Sequence, residues 1–99
     1  MVQVVAVTAA GVPVSGLTIR DTVVRTRHGF DVEQGSGLGV GGYLVFSDSY
    51  RRELGGKREA VRVTGSDGAR GFSADFVLEA DACHIAKGSG PDTVIVKPL

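Results

Sequence analysis

Residues 72–81 read Phe-Ser-Ala-Asp-Phe-Val-Leu-Glu-Ala-Asp, and this stretch indicates the fold more strongly than any other. Apolar and polar side chains alternate along it, with Val77 as the one exception. A period of two places alternate side chains on opposite faces of a β-strand. The apolar face consists of Phe72, Ala74, Phe76, Leu78 and Ala80. We therefore predict a half-buried strand that contributes Phe76 to a hydrophobic core.

Other segments of strand length lie on both sides of this stretch. The predicted strands cover residues 2–8, 17–25, 28–33, 43–50, 60–64 and 92–97. They are separated by turn signals, of which the clearest are Gly11-Val12-Pro13, Ser66-Asp67-Gly68 and Gly88-Ser89-Gly90-Pro91. The sequence predicts at most a single helical turn, at residues 51–54. Short strands at this spacing are typical of a β-sandwich, so we predict an all-β fold.

The alternation also predicts which side chains are buried. In the second strand, Leu17, Ile19 and Val23 should point inward, while Thr18, Arg20 and Thr22 should face water. A β-bulge or break near Asp81-Ala82 should reverse the phase and bury Cys83. The predicted core comprises Val4, Ala6, Ile19, Val45 or Phe46, Val61, Val63, Phe72, Phe76, Leu78, Cys83, Val94 and Val96.

Length and composition restrict the class of protein. Ninety-nine residues are expected to form one domain, spanning 1–99. The 11 basic and 11 acidic residues cancel, which argues against nucleic acid as a partner. No apolar run reaches membrane-spanning length, so no membrane insertion is expected. Since Met1 does not begin a signal peptide, we expect a cytoplasmic protein if Met1 is the native start, and an extracytoplasmic one if the chain is cut from a longer exported protein.

Two motifs resemble one family of β-sandwiches. Residues 11–16 read Gly-Val-Pro-Val-Ser-Gly and lead into Leu-Thr-Ile-Arg-Asp at 17–21. Residues 81–85 read Asp-Ala-Cys-His-Ile, shortly before a Val-rich final strand. Both motifs, in this order, resemble the transthyretin-like, carboxypeptidase regulatory-like domains of bacteria. The resemblance implies a Greek-key sandwich of about seven strands, with a generic immunoglobulin-like sandwich as the alternative.

The same resemblance implies a function class. Such domains are usually non-catalytic appendages of secreted or surface proteins. The hydroxyisourate hydrolases of this fold have a histidine in the first strand and end in Tyr-Arg-Gly-Ser, whereas this chain has neither. Adhesin-type relatives form a Lys–Asn isopeptide bond. The chain contains no Asn, but a Lys–Asp version could use Lys87 or Lys97 with Asp21 or Asp75 and a Glu.

Few residues suggest chemistry. Asp81, Cys83, His84 and His28 are candidate metal ligands, but adjacent strand residues point to opposite faces, so Cys83 and His84 do not readily share one ion. No catalytic constellation is apparent, and no cofactor is expected. The simpler interpretation is a buried cysteine that acts as a small apolar residue, with His84 either at the surface or hydrogen-bonded to Asp81.

Two surface features are candidate contact regions. The first is a glycine-rich loop formed by Gly35, Gly37, Gly39, Gly41 and Gly42, interpreted either as a binding loop or as a flexible connection. The second is a basic contact patch formed by Arg51, Arg52, Lys57 and Arg58. Nearby acids also make a self-compensated surface a reasonable interpretation of that patch.

We therefore expect a structural or adhesive accessory module of a larger, extracytoplasmic bacterial protein. Its partner would be a neighbouring domain or another protein, and it would not be an enzyme. The alternatives are a free-standing homo-oligomer that binds a ligand or assembles, since a Val-rich last strand is a sticky edge, and a hydrolase.

Overall fold

The computed structural model describes residues 2–34, 38–47, 58–80 and 85–99. These residues form no helix and nine short strands, which make two sheets. The strands are β1 (Val2–Val7), β2 (Thr18–Val23), β3 (His28–Val32), β4 (Gly42–Phe46), β5 (Arg58–Ser66), β6 (Arg70–Ala80), β7 (Ile85–Ser89), β8 (Thr93–Ile95) and β9 (Lys97–Pro98). The predicted all-β sandwich is confirmed, with nine strands in place of about seven.

The two sheets differ in size. The smaller sheet has the order β4-β1-β8, and the larger has the order β3-β2-β5-β6-β7, with β9 pairing β6. The pairing of β1 with β8 is parallel, and the other strand pairs are antiparallel. The chain crosses repeatedly between the sheets, so β1 pairs with β4 and not with β2. A constant-type immunoglobulin sandwich instead joins its first, second, fourth and fifth strands in one sheet.

The β5–β6 hairpin is the longest antiparallel ladder. It places Val61 opposite Phe76 and Val63 opposite Ala74. The Asp67 carboxylate closes its turn by accepting hydrogen bonds from the backbone N–H groups of Ala69 and Arg70, at 2.9 and 3.0 Å. The predicted hairpin at Ser66-Asp67-Gly68 is thereby confirmed.

The core fills the space between the sheets. Its fully buried side chains include Phe46, Phe76, Ile19, Leu78, Val4 and Val61. The predicted core is confirmed except for two members. Phe72 is only partly buried, because it lies at the end of the β6 ladder across from Gly65, where its ring occupies the space that a Cβ would need. Cys83 lies outside the described residues.

The C-terminal part differs from the predicted single strand over residues 92–97. After β8 joins the smaller sheet, the Val96 N–H donates to the Val7 carbonyl at 2.8 Å, and β9 then pairs with the larger sheet. Val94 and Val96 are both buried, as alternation requires. The predicted turn at 88–91 is also shorter, because Gly88 and Ser89 belong to β7.

A second difference concerns strand irregularity. The bulge expected near Asp81-Ala82, the end of the 43–50 strand and the helical turn at 51–54 lie outside the described residues. A register shift does occur between Val77 and Leu78, where β6 pairs with β7. Val77 is the one residue that breaks the alternation of the 72–81 stretch, so the exception in the sequence coincides with an irregularity in the sheet.

Candidate functional site

The outer face of the larger sheet is covered by ion pairs between neighbouring strands. Each pair joins residues that lie directly opposite each other in the ladder. The pairs are Arg20–Asp31 at 3.0 Å, Arg62–Asp75 at 2.9 Å and Arg58–Glu79 at 2.9 Å. The Arg62 guanidinium lowers the pKa of the Asp75 carboxyl through its hydrogen bond and charge. Exposed pairs of this kind stabilise little, but they leave this face polar and locally neutral.

The outer face of the smaller sheet has exposed aliphatic side chains and, on β1 and β8, only uncharged polar residues beside them. Val5 and Val7 on β1 lie opposite Thr93 and Ile95 on β8. Val5 is 44% exposed and Ile95 is 43% exposed, and neither β1 nor β8 contains a charged residue. We refer to Val5, Val7 and Ile95 as the apolar face. Val12, in the loop that follows β1, is also exposed.

A depression adjoins the apolar face at Ile95. It has a volume of about 460 Å³, and its lining includes Ile95, Phe72, Leu99 and Lys97. Lys97 has no ion-pair partner among the residues that the structure describes. The exposed aliphatic surface therefore continues from the sheet into a recess.

The outer edge of β4 is closed by one side chain. The Gln34 amide accepts a hydrogen bond from the Leu44 N–H and donates one to the Leu44 carbonyl, both at 2.8 Å. It also donates to the Val32 carbonyl at 3.2 Å. The side chain thus takes the place of a neighbouring strand and links β4 to the end of β3.

Asp21 is the unexpected residue of the interior. It is 0% exposed on β2, and neither of its carboxylate oxygens has a hydrogen-bond partner among the residues that the structure describes. Its ladder neighbours are Phe30 on β3 and Val63 on β5. Burial in this apolar setting raises the pKa of Asp21 to about 8. The carboxyl group is therefore mostly neutral at pH 7.

The sequence contained a signal for this burial. Alternation correctly placed Leu17, Ile19 and Val23 inward, and Asp21 belongs to the same face by the same rule. Sequence reasoning nevertheless assigned Asp21 no burial, because an unpaired buried carboxyl group is rare. The alternation along β2 predicts Asp21 on the inner face, but its carboxyl group argues against burial.

A second buried acid, Glu59, is paired with a cation, as buried carboxylates usually are. Glu59 is 7% exposed, and the Arg25 guanidinium donates to both of its carboxylate oxygens at 3.1 and 3.3 Å. Arg25 is thereby part of a defined ion pair at the end of β2. Glu59 is compensated by a cation, whereas no cation in the described ranges contacts Asp21.

The lysines of the expected Lys–Asp isopeptide bond lie elsewhere. Lys87 forms an ion pair with Asp92, and Lys97 is exposed on β9. Asp75 is exposed and paired with Arg62. Asp21 is buried as such a bond requires, but no described lysine contacts its oxygens.

The candidate metal ligands are only partly described. His28 is exposed at the start of β3, with its ring centroid 5.9 Å from that of Phe30. Asp81, Cys83 and His84 lie outside the described residues. Within the described ranges, no three His, Cys, Asp or Glu residues are grouped to hold a metal ion. The metal hypothesis stays a prediction.

The candidate contact regions are also partly described. Gly39 and Gly41 both have φ of +79°, and the Gly42 N–H donates to the Gly39 carbonyl at 3.3 Å. Gly39 and Gly41 belong to the turn into β4, which begins at Gly42, while Gly35 and Gly37 lie outside the described residues. In the basic patch, Arg58 is paired with Glu79. The remaining members, Arg51, Arg52 and Lys57, also lie outside the described residues.

The two positive-φ glycines permit a matched test of the turn. A Cβ on Gly41 would lie 2.9 Å from the Pro13 Cβ, whereas a Cβ on Gly39 meets nothing within 4 Å. Gly39→Ala should lower the free energy of unfolding by about 1–2 kcal/mol, the cost of a left-handed alanine. Gly41→Ala should lower it by about 1–3 kcal/mol more, because Pro13 must move. Urea denaturation measures both, and equal losses would contradict the packing of this turn on Pro13.

Within the described residues, no helix is long and apolar enough to cross a bilayer. Comparison with protein-family models, curated proteins and solved structures finds no significant match to this chain.

Proposed function

We propose that this chain is a non-catalytic accessory module of a larger protein, and that it docks through the apolar face. The contrast between its two outer surfaces carries the proposal. The larger sheet is covered by ion pairs that water solvates well, whereas the smaller sheet presents Val5, Val7 and Ile95 without a charged residue on β1 or β8. A contiguous exposed aliphatic surface gains free energy when another surface covers it.

The partner that suits this surface is a neighbouring domain. The recess beside Ile95 would accept a protruding apolar side chain, and Lys97 at its rim would favour an acidic group close by. Gln34 already occupies the outer edge of β4. Docking by the face of the smaller sheet is therefore better supported than strand addition at β4.

The strand order supports a proposed relationship with the transthyretin-like, carboxypeptidase regulatory-like domains. The Gly-x-Pro-Val-x-Gly motif lies in the connection from β1 to β2, where Val14 is buried and Pro13 bridges to Val7. The chain crosses between the sheets, and β1 pairs in parallel with β8. An extracytoplasmic bacterial setting is the part of this proposal that follows from the sequence resemblance alone.

The docking proposal predicts a stability difference that depends on context. The chain is produced alone and together with the sequence that its own reading frame encodes on either side. The thermal unfolding midpoint of the module should be higher in the longer protein, because docking stabilises the folded state. The double variant Val5→Lys/Ile95→Lys should remove this increase, since a buried lysine opposes docking.

The control is Val24→Lys, at a 49% exposed valine outside the apolar face. It should preserve the increase, and all variants should unfold within a few degrees of each other in isolation. An increase that survives Val5→Lys/Ile95→Lys would contradict the proposal. A different pair of results would favour the homo-oligomer instead. The reading frame would encode only this chain, and the chain would sediment as a dimer that the double variant converts to a monomer.

A further inference from the structure

We propose that Asp21 is a proton-controlled latch: while its carboxyl group is protonated, β4 stays packed over β2 and β3, and when the group ionises, β4 opens locally. The inference does not depend on the docking proposal. It rests on the position of the Asp21 carboxyl group, which no described cation neutralises, beneath the least firmly held strand that covers it.

Asp21 lies on the inner face of β2, directly across from Phe30 on β3. The Phe30 ring meets the Phe46 ring of β4 edge-on, with centroids 6.0 Å apart. Asp21 is thus next to the aromatic contact that joins β3 to β4. Within the described part of the chain neither carboxylate oxygen has a partner, so ionisation would leave an uncompensated charge in an apolar space.

The strands around Asp21 are held to different extents. β2 is paired on both sides, with β5 over its whole length and with β3 from Ile19 to Val23. Among the described strands, the five-residue β4 pairs with β1 alone and lies at the edge of its sheet, and that pairing contains a register shift between Val2 and Gln3. The other edge of β4 depends on the Gln34 amide. Water therefore reaches Asp21 at least cost if β4 moves, while β2 stays in place.

The other ionisable groups near this interior do not compete for the role. On β4, the Tyr43 hydroxyl donates to the Val14 carbonyl and accepts from the Leu17 N–H. On β5, Glu59 is neutralised by Arg25. On β3, His28 is exposed. β1 contributes no charged side chain.

Proton linkage makes the inference quantitative. Burial raises the pKa of Asp21 from 3.8 to about 8, so an opening that exposes it releases a proton throughout that interval. The equilibrium constant for opening should then rise about tenfold per pH unit between roughly pH 4 and pH 8, and level off above.

Residue-resolved amide hydrogen exchange of the full chain, corrected for intrinsic exchange rates, tests this. The Leu44 amide reports on β4, and the amides of Val61 and Val63 in the central strand β5 report on global unfolding. In the wild type, Leu44 should exchange through a more populated opening than Val61 and Val63, with the tenfold dependence per pH unit. Asp21→Asn should abolish that dependence at Leu44, because an amide side chain has no proton to release.

Two further variants complete the test. Asp75→Asn removes an exposed carboxylate on the outer face and should leave the pH dependence unchanged. Gln34→Ala, which removes the acceptor of the Leu44 N–H and unties the edge of β4, should increase exchange at Leu44 at every pH. Exchange at Leu44 that is independent of pH, or that equals the exchange of Val61 and Val63 throughout, would overturn the inference.

Discussion

Replacing Asp21 with valine is expected to raise the free energy of unfolding by about 4 kcal/mol at pH 7. The wild-type side chain is 0% exposed and has no hydrogen-bond partner in the ranges that the structure describes, and folding raises its pKa from 3.8 to about 8. At pH 7 ionisation of this group stabilises the unfolded chain. Each pH unit between the unfolded pKa and pH 7 lowers the free energy of unfolding by about 1.4 kcal/mol. Valine is apolar, is branched at Cβ and suits a strand, so it removes this cost.

The sign of the pH dependence distinguishes this cause from improved packing. Because the folded state of the wild type binds one more proton than the unfolded state between about pH 4 and pH 8, its stability should fall as the pH rises through that range. Hydrogen bonds lower the pKa values of Asp67 and Asp75. Their contribution to stability is therefore lost as the pH falls, and only in more acidic solution. The Asp21→Val variant should therefore lack the decline above pH 4.

Urea denaturation at pH 5, 6, 7 and 8 measures both quantities for the wild type and the variant. Asp75→Asn is the matched control, since it removes a carboxylate from an exposed position and should preserve the decline. A wild type whose stability is flat or rising between pH 5 and pH 8 would show that Asp21 is not buried as a neutral acid.

Replacing Phe76 with alanine is expected to lower the free energy of unfolding by about 3–5 kcal/mol. Phe76 is 1% exposed and lies in the middle of β6, opposite Val61. A Cβ on Gly90 would lie 2.3 Å from the Phe76 ring, so the β7–β8 connection closes tightly over it. Truncation leaves a cavity that the flanking β-ladder cannot fill by collapsing.

Phe72→Ala is the matched control for this prediction. It removes the same side chain from the same face of the same strand, but Phe72 is only partly buried. Its loss should be about half as large, because much of the ring is already in contact with water. A loss below about 1 kcal/mol for Phe76→Ala, or equal losses for the two variants, would contradict the position of Phe76 in the core.

The success and failure of sequence reasoning follow from the range of the interactions involved. Three sequence features depend only on neighbouring residues, and each predicts the correct element. They are the alternation in 72–81, the turn residues at 66–68 and the β-branched first strand. The division of the C-terminal stretch into β8 and β9 depends on which sheet each half joins, through contacts such as Val96 with Val7. Periodicity carries no information about such long-range choices.

The candidate site illustrates the same limit. The basic patch was predicted from charge, but Arg58 is matched by Glu79, which lies 21 residues further along the chain. The glycine-rich loop was predicted from flexibility, yet Gly41 is required by its contact with Pro13. The apolar face was not predicted, because Val5, Val7 and Ile95 look like ordinary strand residues until β1 and β8 are seen to pair at the surface.

The central claim is that the apolar face is covered in the protein to which this chain belongs. It is tested most directly by methyl NMR with a soluble paramagnetic probe, applied to the chain alone and to the chain within its own reading frame. The signals of Val5 and Ile95 should be broadened by the probe in the isolated chain and protected in the longer protein, while those of Val24 are broadened in both. Equal broadening of Val5 and Ile95 in the two proteins would contradict the account.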